Sequence, residues 1–179
     1  MAKHQLFLHI GPDVVEVDAD VRERLAAVGV RTPDASQTDL HHADLEIRRA
    51  HRSADLTRKD VEGAWAKVCR RAFRLKSDAF VSQPGFFEAD ADQAALAVDG
   101  LAGLKVHLVV TPETRDDLPV AWTRLVKPGR VHAIEPGLAP ADFAAELARI
   151  ALTQEKARLD KALSKVKKRR KQVKDQLAA

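Results

Sequence analysis

The sequence predicts an α/β protein of three layers, with a mainly parallel sheet of about four to five strands flanked by helices. Short apolar runs alternate along the chain with longer segments whose apolar residues recur at helical spacing. Because parallel strands need crossover connections, this alternation is typical of a sheet covered on both faces. A length of 179 residues suits one ordinary domain. We expect that domain over residues 1–138, followed by a C-terminal helix over residues 139–179.

The first strand and helix are predicted from the apolar run at residues 6–10 and the segment that follows it. Gly11 and Pro12 end the strand. A helix should begin at Asp18 and end near Gly29, because apolar residues recur on one helical face between them. The residues of that face are Val21, Leu25 and Val28.

Residues 31–40 are polar and predict a connection, followed by a helix over about residues 39–51. Thr57 and Asp60 form a capping signal for the next helix. Its apolar stripe consists of Val61, Ala64, Trp65, Val68 and Ala72. We therefore expect Trp65 to be a core residue, and we expect the lone cysteine, Cys69, to be buried beside it.

Further strands are predicted at residues 78–82, 105–111 and 131–134. A helix over residues 90–101 should turn Ala91, Ala94, Ala95, Val98 and Leu101 inward. Another helix should begin directly after Thr111, with Pro112 in its first turn. Its expected core residues are Leu118, Ala121, Trp122 and Leu125.

From Pro140 to the end the chain predicts one long helix, without Gly or Pro after that residue. Two interpretations of its distal part, from residue 152, remain open: a coiled-coil seam with two basic interruptions, or an amphipathic helix that ends as a solvated basic tail. The seam positions are Leu152, Lys156, Leu159, Leu163, Val166, Arg170, Val173 and Leu177.

Charge is distributed unevenly along the chain. Residues 153–179 hold ten Lys and Arg against three acidic residues (net +7), whereas residues 1–152 hold 20 basic and 23 acidic groups (net −3). Any contact with nucleic acid, an anionic surface or another polyanion is therefore expected of the tail and not of the body. The candidate contact residues are Lys165, Lys167, Lys168, Arg169, Arg170, Lys171 and Lys174.

Cysteine content and hydropathy indicate the compartment. One cysteine cannot form an intrachain disulfide, and the N-terminal apolar run of five residues is too short for a signal peptide or a membrane span. We expect a cytoplasmic protein without a transmembrane segment.

The loop after the first strand lies where many α/β proteins hold a phosphate. The run from Leu6 through Gly11 and Pro12 resembles the start of bacterial sulfotransferases of the P-loop superfamily, which typically read Gly-Pro-x-Lys-Thr-Gly-Thr-(Ser/Thr). Further similar segments, in the same order, extend the resemblance over about residues 5–134; they are 24–30, 79–82, 92–101, 107–111, 118–122 and 126–127. The resemblance implies a P-loop fold and 3′-phosphoadenosine 5′-phosphosulfate as donor.

The chain departs from this pattern at the positions that do the family's chemistry. Val14 stands at the position of the Lys, Glu16 at the second Gly and Asp18 at the final hydroxyl residue. A carboxylate about 4 Å from a phosphate is repelled by roughly 4 kcal/mol at an effective dielectric near 20. About 1.4 kcal/mol is tenfold in affinity, so these changes should weaken donor binding by several orders of magnitude.

Two other family positions are altered as well. Relatives often have Ser-x-Glu after the next strand of the resemblance, and residues 82–84 here are Ser-Gln-Pro, without the carboxylate. The Arg that would hold the 3′-phosphate corresponds to either Glu113 or Arg115. Arg115, with Gly11 and Pro12, is then what remains of a donor site.

A metal site is not expected. Asp13, Glu16, Asp18 and Asp20 lack the glycine turn and terminal glutamate of a calcium-binding loop, and acidic residues are common at helix N-termini. We interpret them as helix-start residues.

These observations predict a catalytically inactive sulfotransferase-like pseudoenzyme with a degenerate phosphate-binding loop, no catalytic residue and no cofactor. Its body and C-terminal helix would act as a scaffold for self-association or for a protein partner. One alternative is an active sulfotransferase that binds 3′-phosphoadenosine 5′-phosphosulfate at an atypical site. The other is polyanion binding through the basic tail.

Overall fold

A parallel sheet forms the centre of the structure, a computed structural model that describes residues 4–12, 15–112 and 118–177. Its strands are β1 (Gln5–Ile10), β2 (Val30–Arg31), β3 (Asp78–Ser82), β4 (Lys105–Val110) and β5 (Val131–Ala133). They pair in the order β2-β3-β1-β4-β5, and every pairing is parallel. The predicted α/β class is confirmed, with five strands.

Helices cover both faces of this sheet. In the described residues they are α1 (Ala19–Ala27), α2 (Gln37–Ile47), α3 (Arg58–Val61), α4 (Ala64–Arg74), α5 (Ala91–Asp99), α6 (Val120–Thr123) and α7 (Pro140–Leu177). No helix of the described residues is both long enough and apolar enough to cross a membrane.

Strand β1 lies in the middle of the sheet, and all six of its residues are buried. Alternate side chains of a strand point to opposite faces. Leu6, Leu8 and Ile10 therefore contribute to a core shared with α2, α4 and α5. Phe7 belongs to a second core, formed with α1 and the start of α7.

Helix α7 runs along the second face from the carboxyl edge of the sheet to its amino edge. Phe143, in its first turn, packs edge-on against His9 near the carboxyl end of β1, with ring centroids 5.1 Å apart. Gln154 and Arg158, about three and four turns later, line a cavity with Lys105, the first residue of β4. The buried residues of α7 end at Ala151, and the remaining turns project from the amino edge.

The connection predicted at residues 31–40 is shorter than expected, because an unpredicted strand and the start of the predicted helix occupy its two ends. Val30 and Arg31 form β2 at one edge of the sheet, paired with Asp78 and Ala79. A strand of two residues is too short to show alternation. Helix α2 begins at Gln37, two residues before the prediction, because Ser36 and Asp39 form a capping box.

The helix predicted from Thr57 is two helices. Thr57 and Asp60 cap α3 as expected, but this helix ends at Val61, because Glu62 is extended and Gly63 adopts a left-handed conformation with φ of 80°. Helix α4 then starts anew, and the Glu46 carboxylate of α2 accepts the N–H groups of Gly63 and Trp65, each at 2.7 Å. A tertiary partner of this kind is not visible in local sequence.

Individual core assignments differ at three positions. Ala91 is exposed, and Ala97 is buried in its place because α5 is rotated relative to the predicted face. Leu125 is 39% exposed because it lies beyond the single turn of α6. The helix start predicted at Thr111 extends into residues 113–117, which lie outside the described residues.

Candidate functional site

The carboxyl edge of the sheet brings together the loops after β1, β3 and β4. Ligands of open α/β sheets bind at this edge. The Gly11 N–H donates to the Pro84 carbonyl at 3.4 Å, and the Thr111 N–H donates to the Ile10 carbonyl at 3.2 Å. The chain leaving β1 is thereby held between its two neighbours.

Gly11 is required here by close packing. A Cβ on residue 11 would overlap the Thr111 hydroxyl oxygen and lie 2.8 Å from the Thr111 carbonyl oxygen. Pro12, the next residue, is exposed to solvent. The glycine that resembles a phosphate-loop residue therefore has a structural role that does not depend on a ligand.

A buried histidine links the three loops. His9 is fully buried, with Nδ1 2.9 Å from the Ser82 hydroxyl and Nε2 3.1 Å from the Thr111 hydroxyl. The hydroxyls of Ser82, the last residue of β3, and of Thr111, the residue after β4, are thus engaged with protein. Gln83, at the middle position of the family's Ser-x-Glu, is also buried, and its side chain donates to the Leu40 carbonyl at 3.1 Å.

The N-terminus of α1 is occupied by its own cap. The Asp18 carboxylate accepts the Val21 N–H at 2.8 Å. Before it, Val15 and Val17 pack against the second core while Glu16 is exposed. The helix end that would attract a phosphate therefore presents a carboxylate.

Two cavities flank this segment. The larger, about 370 Å³, lies between the ends of β2 and β3 and the start of α2. Its polar lining includes Arg22, Ser36, His41, Asp44 and Ser82, and the rest of its wall contains both apolar and neutral polar side chains. Of the described Lys and Arg residues, Arg22 alone lines it.

The smaller cavity, about 300 Å³, lies on the side of β5 and α7. Glu16 and Glu135 are its charged lining residues, and no Lys or Arg of the described chain lines it. Val15 separates the two spaces, since it lines both. An anion at the position of a phosphate loop would meet negative charge on this side.

Asp44, in the larger cavity, is already neutralised. Arg48 donates to both of its carboxylate oxygens, at 3.0 and 2.9 Å, and also pairs with Glu88. Gly85 makes room for this carboxylate, because a Cβ there would overlap it. Asp44 is therefore one partner of a structural ion pair with Arg48 and is not available as a free base.

The site residues predicted from the sequence lie in different parts of the molecule. Gly11 and Pro12 lie at the carboxyl edge, whereas Arg115 lies outside the described residues, as do Asp13 and Val14. The seven candidate contact residues of the tail are all exposed on the distal part of α7. They point into solvent at the other end of the molecule.

Several residues at this edge were not singled out from sequence. His9, Thr111 and Arg22 had no motif to mark them, because their roles depend on which strands are neighbours. His41 is exposed where it borders the larger cavity. No group of three or more His, Cys, Asp or Glu among the described residues is placed to hold a metal ion.

The two tryptophans and the cysteine are core residues, as predicted. Trp65 and Trp122 are buried, and each donates its indole N–H to a main-chain carbonyl. Burial raises the pKa of the Cys69 thiol to about 12. The thiol is therefore protonated at neutral pH and is a poor nucleophile.

A second buried histidine lies nearer the amino edge. His107 is fully buried, and its Nδ1 is 3.1 Å from Nε2 of His132. Burial, assisted by the nearby positive charge of Lys105, lowers the pKa of His107 to about 3. Burial also lowers the pKa of His132. Both imidazoles are neutral at neutral pH.

Because the fold keeps His107 and His132 in the neutral form, we expect the protein to lose stability in mild acid. The unfolded chain binds a proton at His107 below about pH 6.5, while the folded chain resists protonation until about pH 3. The free energy of unfolding should therefore fall with decreasing pH across that window, by up to about 1.4 kcal/mol per pH unit for this group. Urea denaturation between about pH 7 and pH 5 measures the slope.

Replacement of His107 isolates its contribution. His107→Gln should flatten the pH dependence by close to one proton. An unchanged slope in His107→Gln would show that the buried pair does not control stability in this range.

Comparison of the chain with protein-family models, curated proteins and solved structures finds no match to any of them.

Proposed function

We propose that this chain is a non-catalytic relative of the bacterial sulfotransferases, with a body that acts as a scaffold and a C-terminal helix that contacts other molecules. The observation that supports the proposal most directly is the charge at the carboxyl edge. Asp18 caps α1, and Glu16 and Glu135 line the cavity beside it. Transfer of a sulfuryl group depends on neutralising oxygen charge, by analogy with phosphoryl transfer, and these groups have the wrong sign.

The basic tail does not supply the missing cations within one chain. Helix α7 begins at the carboxyl edge and leaves the body at the amino edge, so Lys165 and the basic residues after it lie far from the loop. About 14 residues separate the helix positions at the two edges, which corresponds to roughly 20 Å at 1.5 Å per residue.

Calorimetry with adenosine 3′,5′-bisphosphate, the product of the donor, tests the proposal. The wild-type chain should show no binding at millimolar ligand. A variant with Val14→Lys, Glu16→Gly and Asp18→Ser should gain at least about 100-fold in affinity, because it adds a cation and removes two carboxylates. Serine at residue 18 preserves the helix cap.

A second triple variant controls for net charge. Val120→Lys, Glu62→Gln and Asp92→Ser make the same change in charge at exposed positions that line neither cavity, and should not create binding. Micromolar binding by the wild type would overturn the non-catalytic assignment. Equal gains in the two triple variants would remove the support for a sulfotransferase-like loop.

An active sulfotransferase with an atypical donor site is the competing function. It would use Arg115, or Arg22 in the larger cavity, together with groups from a partner chain. Turnover of 3′-phosphoadenosine 5′-phosphosulfate with a panel of acceptors detects it directly. Activity that is lost in Arg115→Ala or Arg22→Ala would establish this function in place of the one proposed.

A further inference from the structure

A basic groove lies at the amino edge of the sheet, at the end of the molecule opposite to the loop. It encloses about 520 Å³ between the sheet edge and α7. Four cations line it: Lys105 of β4, Arg130 before β5, and Arg158 and Lys161 of α7. Its other lining residues, Leu104, Gln154 and Ala157, are uncharged. The basic surface thus extends from the tail onto the body.

The positive charge of the groove is only partly compensated. Glu155 pairs with Arg158 at 2.6 Å. Asp78 lies within electrostatic range of Lys105, but it also accepts hydrogen bonds from the main chain and side chain of Gln5, at 2.8 and 3.0 Å. Burial and the nearby Arg130 lower the pKa of Lys105. Four cations and two carboxylates leave a site that favours an anion.

The face of α7 that lines the groove continues outward as a basic stripe. Lys165 and Lys168 follow Lys161 at four and seven residues, which places them on the same helical face. Both are exposed, and α7 is helical through both. From Arg158 to Lys168 the stripe is about 15 Å long at 1.5 Å per residue.

We propose that this groove and the adjoining stripe bind the phosphate backbone of double-stranded nucleic acid. A row of cations that begins in a recess and continues along a helix matches a row of phosphates, which a duplex presents about every 3.4 Å along each strand. The residues that define the site are Lys105, Arg130, Arg158, Lys161, Lys165 and Lys168.

The other polyanions fit this arrangement less well. Single strands are bound largely by stacking on aromatic side chains, and residues 152–177 contain none. A membrane would take the apolar seam, whose residues include Leu159 and Leu163, at 58% and 53% exposure. That seam lies on the side of α7 opposite to Arg158 and Lys161, by the helical repeat of 3.6 residues. A helix lying on lipid would turn the groove away from the surface.

Fluorescence anisotropy of the full chain with a labelled mixed-sequence duplex, over a series of salt concentrations, tests the proposal. The double variant Arg130→Gln/Lys161→Gln should weaken binding on the order of 10-fold at low salt and lower the salt slope by about 2. The matched control Arg124→Gln/Lys156→Gln removes one body arginine and one α7 lysine at exposed positions outside the groove. It should change affinity by less than about 2-fold.

A second matched pair guards against effects on folding. Lys161→Gln and Lys156→Gln alter exposed lysines of the same helix, and only the first should weaken binding. Absence of duplex binding by the wild type at low salt would overturn the proposal, as would equal losses in the groove and control variants. Tighter binding to a single-stranded oligonucleotide, or to phosphatidylserine vesicles with no effect of the groove variant, would overturn it in favour of those ligands.

Discussion

Replacement of Trp122 by Ala is expected to lower the free energy of unfolding by about 4 kcal/mol, the usual range for loss of a large buried aromatic residue. Trp122 is 1% exposed, and its ring stacks on Phe86 with centroids 5.7 Å apart. Its indole N–H donates to the Phe86 carbonyl at 2.8 Å, so truncation also removes one of the two hydrogen bonds to that carbonyl, which keeps the Ala89 N–H at 3.1 Å. Urea denaturation measures the change, and the melting temperature should fall by roughly 10 °C.

Trp122→Phe separates the two contributions. Phenylalanine preserves an aromatic ring against Phe86 and removes only the N–H donor and part of the volume, so we expect a cost of about 1–2 kcal/mol. If Trp122→Ala cost no more than Trp122→Phe, stacking on Phe86 would have no measurable role. A cost of Trp122→Ala below about 1 kcal/mol would contradict the buried placement itself.

Gly11→Ala is expected to destabilise the protein by about 2–3 kcal/mol through overpacking. The added methyl group would overlap the Thr111 hydroxyl and press on the Thr111 carbonyl. That carbonyl cannot withdraw easily, because the Thr111 N–H is bonded to Ile10. Gly129→Ala is the control: a Cβ there meets nothing within 4 Å, so its effect should stay within about 0.5 kcal/mol.

A double-mutant cycle with Thr111→Ala shows whether the contact is the cause. Thr111→Ala removes the overlapping hydroxyl, so Gly11→Ala should cost less in that background than in the wild type. The remaining cost would come from the carbonyl oxygen, 2.8 Å from the added Cβ. Additive costs would mean that Gly11 is needed for another reason.

The same contact changes how the resemblance at residues 11–18 is interpreted. Gly11 is explained by the approach of Thr111 whether or not an anion binds. Asp18 is explained by its cap on α1. The glycine after the first strand and the helix start that follows it are thus explained by packing and capping. Whether the loop can bind an anion depends instead on residues 13–17.

The two candidate regions lie at opposite ends of the sheet. The loop and its two cavities adjoin the carboxyl edge, while the basic groove adjoins the amino edge, and α7 connects them along the second face. Variants at one end should therefore leave binding at the other unchanged. The tests of the loop and of the groove can consequently fail independently.

Periodicity and capping residues were sufficient for most of the architecture. The strand at residues 78–82 and the helices that start after Asp18 and Asp90 are present as predicted, and the strand predicted at residues 105–111 ends one residue earlier, at Val110. Each depends on local information: an apolar run, or a side chain that accepts an N–H three residues later. Tertiary packing reinforces these elements without changing them.

Features that depend on distant partners were not predictable in the same way. Strand β2 has only two residues and exists because Asp78 and Ala79 pair with it. Helix α4 starts where Glu46 accepts its first N–H groups, and α5 turns Ala97 rather than Ala91 inward. The first two features depend on contacts between residues that are far apart in the chain. The third depends on how neighbouring elements rotate α5.

The candidate sites follow the same division. Residue types alone indicated the acidic loop and the basic tail, because charge and its position along the chain can be read directly. The groove could not be read in that way: Lys105 and Arg130 are 25 residues apart in the chain, and α7 brings Arg158 and Lys161 to them only by crossing the sheet. Charges scattered along a chain act as one site only after the fold has brought them within the range of electrostatic interaction.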